Sequence, residues 1–523
     1  MKKLKIIFLI IGALIAVAIG SFYGYYRATQ KTIAILLYDN FTLLDAVGSY
    51  QTASGLMLKN YSIKFVAKQK GRVKSSYMQS LNAEYDFNDI SNADILIIPG
   101  GENAELILKD EETMNWIRKI DAKSDYTLSL GSGTVVLAST GVLEGKQATA
   151  NWYDKTALEK SGATYVSTDY LHDGKYYTGM GASASIDMVL GLINDIADAD
   201  LSKTTQLFIA YDPQAPVHSG FYEQADSTVK SMATALRERK SSDRPKKIIA
   251  MYLYKGFTML DVTGPYQVFR ELEGLGYEMK FIADEKGIIK SDFIQSLETP
   301  YSIKDITSAD VFFVPGGSTT FKILDDTALV DWVKQIDATT QFTTSVCTGS
   351  VLLGEAGFLK GRSATSHWYV GPMLNQFGAT YSNARYTKDG KYITGAGVSA
   401  GIDLALFVVK ELEGENVAKA IQLKIGYHPN PPFDAGTPEK SDKKTVEMLS
   451  QMFTSATQRG GTKKPTTAVA AIALDSDIDP VCNMNIKGTH ADTILYKGKV
   501  YGFCSAICKE SFKNDPEKFL SEK

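Results

Sequence analysis

The feature that most restricts what this chain can fold into is a duplication. Sliding the sequence on itself brings residues 33–101 and 128–216 onto later residues at one constant offset, 216. Asp45 falls on Asp261, Pro99-Gly100-Gly101 on Pro315-Gly316-Gly317, Trp152 on Trp368, Thr178-Gly179 on Thr394-Gly395 and Tyr211 on Tyr427. An offset that never slips means two copies of one domain, not a solenoid, whose units run to about 20–50 residues. The charged, proline-ended stretch from Arg237 to Pro245 reads as the joint, and a second linker begins at Arg459-Gly-Gly-Thr-Lys-Lys-Pro465. A length of 523 residues suits two or three domains. The boundaries are residues 31–240 for the first copy, 246–455 for the second, 456–477 for a linker and 478–523 for a tail.

Within each copy, short β-rich apolar runs alternate with amphipathic stretches. In the second copy the runs are Ile248–Leu253, Met279–Ala283, Val311–Val314 and Phe342–Val346, and the helical patterns include Thr327–Ile336 and Gly401–Glu411. Continuous apolar strands interleaved with helices predict an α/β fold with a doubly wound, largely parallel sheet. In such sheets functional groups gather at the carboxyl ends of the strands. Asp261, the Gly316-Gly317 pair and Cys347 all fall at such ends.

The most informative segment is Phe342-Thr-Thr-Ser-Val-Cys347-Thr-Gly349, where a β run passes into a helix. A thiol on so sharp a turn sits beside a helix amino terminus, which favours thiolate and exposes the sulfur. Together with Phe257-Thr-Met-Leu-Asp-Val-Thr-Gly-Pro265 and Gly361-Arg-Ser-Ala-Thr-Ser-His-Trp368, this segment resembles the ThiJ/PfpI family, and most closely the branch holding isonitrile hydratase and the sensor halves of some AraC-type regulators. The resemblance covers residues 31–455 and implies two flavodoxin-like domains in tandem with a nucleophile elbow. It places Cys347 on the family nucleophile, Asp261 on its acidic partner, Thr348 on the residue after the nucleophile and His367 on the nearby histidine. Backbone N–H groups at Gly317 and Thr348 are then the expected oxyanion-hole donors. Other readings stay open: His367 as a core histidine, Asp261 as a helix cap. His428, where the first copy has Asp212, reads as structural.

The offset sets Gly131 where Cys347 stands and Asn151 where His367 stands. Covalent catalysis of the same kind cannot occur there. The first copy reads as degenerate, pairing with the second as an intramolecular pseudo-dimer, or serving as an independent ligand-binding domain.

Lys2, Lys3 and Lys5 precede an apolar run from Ile6 to Tyr26, long enough as a helix to cross a bilayer. The expectation is a signal anchor over residues 1–30, making a single-pass membrane protein with its bulk on the extracytoplasmic side. Ala16-Val17-Ala18 also has the form of a cleavage site, which would give a secreted or periplasmic chain. A net charge of −3 argues against a nucleic-acid partner.

Three of the four cysteines crowd into the tail, at 482, 504 and 508. Asp479-Pro-Val-Cys-Asn-Met484, Tyr496-Lys-Gly-Lys-Val-Tyr-Gly-Phe-Cys-Ser-Ala-Ile-Cys508 and Asp515-Pro-Glu-Lys-Phe519 resemble the YHS module, a small α+β metal-binding unit. Cys482, Cys504 and Cys508, with His490 as a fourth ligand, form a soft donor set suited to zinc or copper(I). So small a module gains stability from a metal. A disulfide between Cys504 and Cys508 is the competing reading.

Two functions follow. One is an enzyme in which Cys347 attacks a small electrophilic carbon, Asp261 and His367 manage protons, and water completes an isonitrile-hydratase-like or hydrolytic reaction, with a small-molecule substrate and no cofactor in that domain. The other is a stress sensor or soft-metal handling protein, with Cys347 as an oxidisable thiol.

Overall fold

The computed structural model describes residues 29–459 apart from 103, 239–242 and 293, and in the tail 478–481, 492–497, 499–503, 506–514 and 516–520. Each copy is built on a seven-stranded sheet. In the first, the strands lie in the order Tyr170–Asp173, Tyr176–Gly179, Tyr126–Leu130, Ile95–Ile98, Lys31–Leu36, Tyr61–Ala67, Tyr85–Asp86. Only the edge strand Tyr170–Asp173 runs antiparallel to its neighbour. The second copy repeats this order with Tyr386–Asp389, Tyr392–Gly395, Phe342–Val346, Val311–Val314, Lys247–Tyr252, Tyr277–Ala283 and Tyr301–Ser302. Even the register agrees: Ile33 pairs with Ile95, and Ile249 with Val311. Strands covered on both faces must be apolar throughout, and Ile95–Ile98 and Val311–Val314 are buried at every residue.

The two copies pack as parts of one compact unit, separate from the tail. Helix Leu43–Ala53 of the first lies against Met259–Phe269 of the second. Beside this contact, two side-chain amides clamp opposite backbones. Gln79 donates to Glu298 O at 3.0 Å and accepts from Glu298 N–H at 2.9 Å. Gln295, its equivalent by the offset, does the same with Asn82 at 3.0 and 2.9 Å. Each bridge answers the other, as contacts do across a two-fold axis. The closing helix of the first copy, Ser227–Glu238, leaves its own sheet to pack on Glu415–Ile425 of the second, where Val229 and Ala233 share a small core with Ala420 and Leu423.

The expectation of a single-pass membrane protein is corrected. Among the described residues no helix is long and apolar enough to cross a membrane. The longest, Lys443–Arg459, has 17 residues and carries Lys443, Lys444, Glu447 and Arg459. At 1.5 Å per residue it falls short of a ~30 Å hydrocarbon core. The apolar run from 6 to 26 lies outside the described residues.

In the tail, Asp492–Tyr496 and Lys499–Phe503 form an antiparallel hairpin, followed by helix Ala506–Asn514. Phe512 from that helix packs on Phe503, both fully buried.

Candidate active site

The sharpest local feature is the backbone at Cys347. It follows strand Phe342–Val346 and precedes helix Gly349–Glu355 with φ at +54°, in the left-handed region that side chains avoid. The Cys347 N–H donates to Gly395 O at 3.1 Å, so the turn is held by the neighbouring strand. Thr348 caps the helix, its N–H directed at the sulfur.

Asp261 reaches the same point from the first turn of helix Met259–Phe269. It is fully buried, and its Oδ2 accepts from Gly316 N–H at 2.7 Å. A side chain at Gly316 is excluded: a Cβ there would lie 2.6 Å from Thr348 N, 2.7 Å from Cys347 Cβ and 2.8 Å from Asp261 Oδ2. The Pro-Gly-Gly turn therefore supplies the space that lets carboxyl and thiol meet.

Burial pushes the Asp261 carboxyl well above the carboxylate range, against the pull of the Gly316 N–H. It pushes the Cys347 thiol well up too, and the neighbouring Asp261 adds to the effect. This corrects the sequence expectation of an exposed thiolate. Cys347 is only 6% exposed, and desolvation outweighs the helix amino terminus and the Thr348 N–H. Both shifts favour the protonated forms, a neutral acid beside a neutral thiol.

The expected oxyanion donors are placed differently from the sequence reading. Gly317 N–H is engaged by Thr348 Oγ1 at 2.9 Å. That hydroxyl lies 2.6 Å from Thr320 Oγ1, which lies 2.7 Å from Tyr254 OH. Thr348 thus ties the Pro-Gly-Gly turn to the elbow through a buried hydroxyl chain.

His367 joins Cys347 in the wall of one cavity of about 330 Å³. The ring is buried, its Nδ1 accepts from Tyr369 N–H at 3.4 Å, and the main chain of Phe208 hydrogen-bonds it. Burial lowers its pKa to about 4, so the imidazole is neutral at pH 7. Phe453 packs edge-on at 5.1 Å.

Sequence reasoning missed three members of this cavity. Asp292 accepts from Thr258 Oγ1 at 2.6 Å through one oxygen while the other has no hydrogen-bond partner, and burial raises its pKa to about 7. It stands where the first copy has Ser76, a difference the offset displays. Gln51 and Phe208 come from the other copy, across the interface. The remaining wall is largely apolar, with Phe321, Val370, Val398 and Phe453.

The first copy keeps the frame without the chemistry. Gly131 adopts φ +48° at the elbow, and its N–H donates to Gly179 O at 2.9 Å. Asp45 Oδ2 accepts from Gly100 N–H at 2.9 Å, as Asp261 does from Gly316. Asn151, at the histidine position, donates to Lys424 O at 3.0 Å.

Of the tail's expected ligands, Cys508 lies half-buried on helix Ala506–Asn514. Cys482, His490 and Cys504 lie outside the described residues. Among the described residues no three His, Cys, Asp or Glu side chains converge on a metal position.

Residues 31–195 and 246–411 match the DJ-1/PfpI family, and residues 478–523 match the YHS domain. An isonitrile hydratase from Pseudomonas putida is 36% identical over 199 residues, which are 38% of this chain and 86% of that protein. A deglycase from Thermococcus kodakarensis is 21% identical over 120 residues, 23% of this chain and 72% of its own. Among solved structures, a ThiJ/PfpI family protein from Pseudomonas syringae aligns at 33% identity with a TM-score of 0.39, covering 42% of this chain and 91% of that one.

Proposed function

Because the chain belongs to the DJ-1/PfpI family through both of its copies, we propose that the second copy is a cysteine-dependent hydratase or hydrolase acting on a small electrophile, with an isonitrile as its substrate class. One observation carries the reading: Cys347 is held in the left-handed region, in a largely apolar cavity, beside a buried Asp261 whose burial favours the protonated acid. A carbon–heteroatom multiple bond asks for a nucleophile and a proton together, and this pair supplies both.

For an isonitrile the atoms balance as follows. The Cys347 sulfur bonds to the terminal carbon, one proton from the thiol–carboxyl pair goes to that carbon, and a thioimidate forms. Water then adds at the same carbon, the C–S bond breaks, the thiol recovers its proton, and an N-substituted formamide leaves. Asp261 moves the proton in each half. The neutral His367 lines the site and holds its wall against Phe208 and Phe453. The Thermococcus relative, a deglycase, supports including an aldehyde, methylglyoxal, in the same assay.

The sensor reading is less well supported, because oxidation needs an accessible thiolate and burial opposes both. In the tail, we propose that Cys482, Cys504 and Cys508 with His490 hold a soft metal ion, zinc or copper(I), which when bound would crosslink the module.

The test is turnover of cyclohexyl isocyanide and of methylglyoxal by the purified chain and its Cys347→Ala variant. Activity lost in the variant supports the proposal; no activity across both substrates sinks it. Metal analysis after reducing, chelator-free purification tests the tail in the same way.

A further inference from the structure

The first copy, stripped of thiol and imidazole, still encloses a cavity of about 370 Å³ at the equivalent place. Its lining has changed in one consistent direction. Where the cysteine cavity has Phe208, Phe321, Val370 and Phe453, the offset gives Lys424, Glu105, Asp154 and Arg237, and all four line the first copy's cavity. Glu102 likewise replaces Ser318. Loss of function by drift replaces residues without regard to kind. Here charges of both signs stand where the cysteine cavity is apolar, while the equivalent pair Gln51 and Gln267 keeps its place in the two cavities.

Three polar atoms in this wall have no hydrogen-bond partner: Arg270 Nε, Asn151 Oδ1 and Asp154 Oδ2. Arg270 is 6% exposed and Asn151 2%, so neither is served by bulk solvent. The Arg270 guanidinium is fixed through one terminal nitrogen by Glu271 at 3.3 Å and Glu102 at 3.8 Å, and by the face of Tyr77 at 3.1 Å from the ring centroid, which keeps it in position and leaves Nε as its unpaired donor. Buried polar groups are ordinarily paired, and unpaired ones in a cavity ask for a ligand. The demand has two signs. The guanidinium N–H wants an acceptor, best met by a carboxylate; the Asp154 carboxyl and the Asn151 carbonyl want donors, best met by an ammonium group.

We propose that the first copy is a binding site for a small zwitterion of the α-amino-acid class, its carboxylate held at Arg270 and its ammonium group at Asp154 and Asn151. The site is distinct from the cysteine cavity and uses no covalent step. Because Arg270 and Lys424 belong to the second copy, the site exists only when both copies are packed together. Occupancy therefore stabilises the interface that also brings Gln51 and Phe208 to the catalytic cavity.

The test uses the full chain carrying Cys347→Ala, which removes any covalent chemistry in the other cavity. Its thermal midpoint is measured with each proteinogenic L-amino acid at millimolar concentration, and with acetate and ethylammonium as single-charge probes. At least one amino acid is expected to raise the midpoint by about 2 °C or more, with neither single-charge probe matching it. Calorimetry with that amino acid then reads affinity, expected to fall at least tenfold in Asp154→Asn and in Arg270→Met. Asp154→Asn is close to isosteric and serves if Arg270→Met fails to fold. No shift from any amino acid, an equal shift from acetate or ethylammonium, or unchanged affinity in Asp154→Asn overturns the proposal.

Discussion

Arg385 Nε lies 2.7 Å from Asp403 Oδ2 in a pair almost wholly removed from solvent, and the same guanidinium donates to Ala210 O of the other copy at 2.7 Å. Tyr427 OH completes the carboxylate at 2.7 Å. Removing one partner of a buried pair leaves the other charge uncompensated. Arg385→Met is therefore expected to cost about 3–5 kcal/mol of unfolding free energy, read from denaturant midpoints. A cost below ~1 kcal/mol would mean that the copies are held together elsewhere.

Gly316 is the spacer between carboxyl, thiol and elbow. Gly316→Ala forces those groups apart, with an expected loss of about 1–3 kcal/mol in stability and about a hundredfold in kcat/KM.

Cys347 alkylation by iodoacetamide, followed on its own peptide by mass spectrometry, should be slow at pH 7 and climb only above the ordinary thiol range, because burial and Asp261 raise its pKa. Asp261→Asn removes the competing carboxyl, so alkylation becomes faster at each alkaline pH. A fast, pH-independent rate near neutrality would contradict the neutral-pair reading.

His367 supplies a pH signature. Its folded pKa of about 4 lies below the ordinary histidine value of 6.5, so the unfolded chain binds more protons between these values. Stability from this group is complete above pH 6.5 and is lost as pH falls toward 4, by up to ~3 kcal/mol at about 1.4 per unit. The stability advantage of the parent over His367→Asn should narrow across that window.

Asp292, with a pKa of about 7 and one unpartnered oxygen, is the candidate to exchange protons with water in the reaction proposed above. The pH profile of kcat should show a limb near 7 that disappears in Asp292→Asn. A limb that persists assigns it to another group.

Much of this was legible in the sequence, for physical reasons. Buried parallel strands require unbroken apolar runs, so Val311–Val314 and Phe342–Val346 announce themselves, and the offset carries the reading from one copy to the other. The elbow was legible because a strand passing abruptly into a helix at Cys347-Thr-Gly constrains few alternatives. Asp292 was not, since it lies in a loop after strand Gly287–Lys290 with no motif of its own and reaches the cavity only through tertiary packing. Gln51 and Phe208 were hidden for a related cause: they cross from the other copy, and no local pattern encodes an interface. The thiol's protonation is not legible there, because a helix terminus is visible in sequence and desolvation is not.

The elbow also bears on how the two copies came to differ. At φ near +50° glycine is at ease, while cysteine carries a penalty of roughly 1–2 kcal/mol. Cysteine replaced by glycine at this turn is downhill for folding, and the reverse change is uphill. The Gly131 turn is thus the relaxed form of the elbow and the Cys347 turn the strained one, so the two copies differ in the folding cost of the same bend.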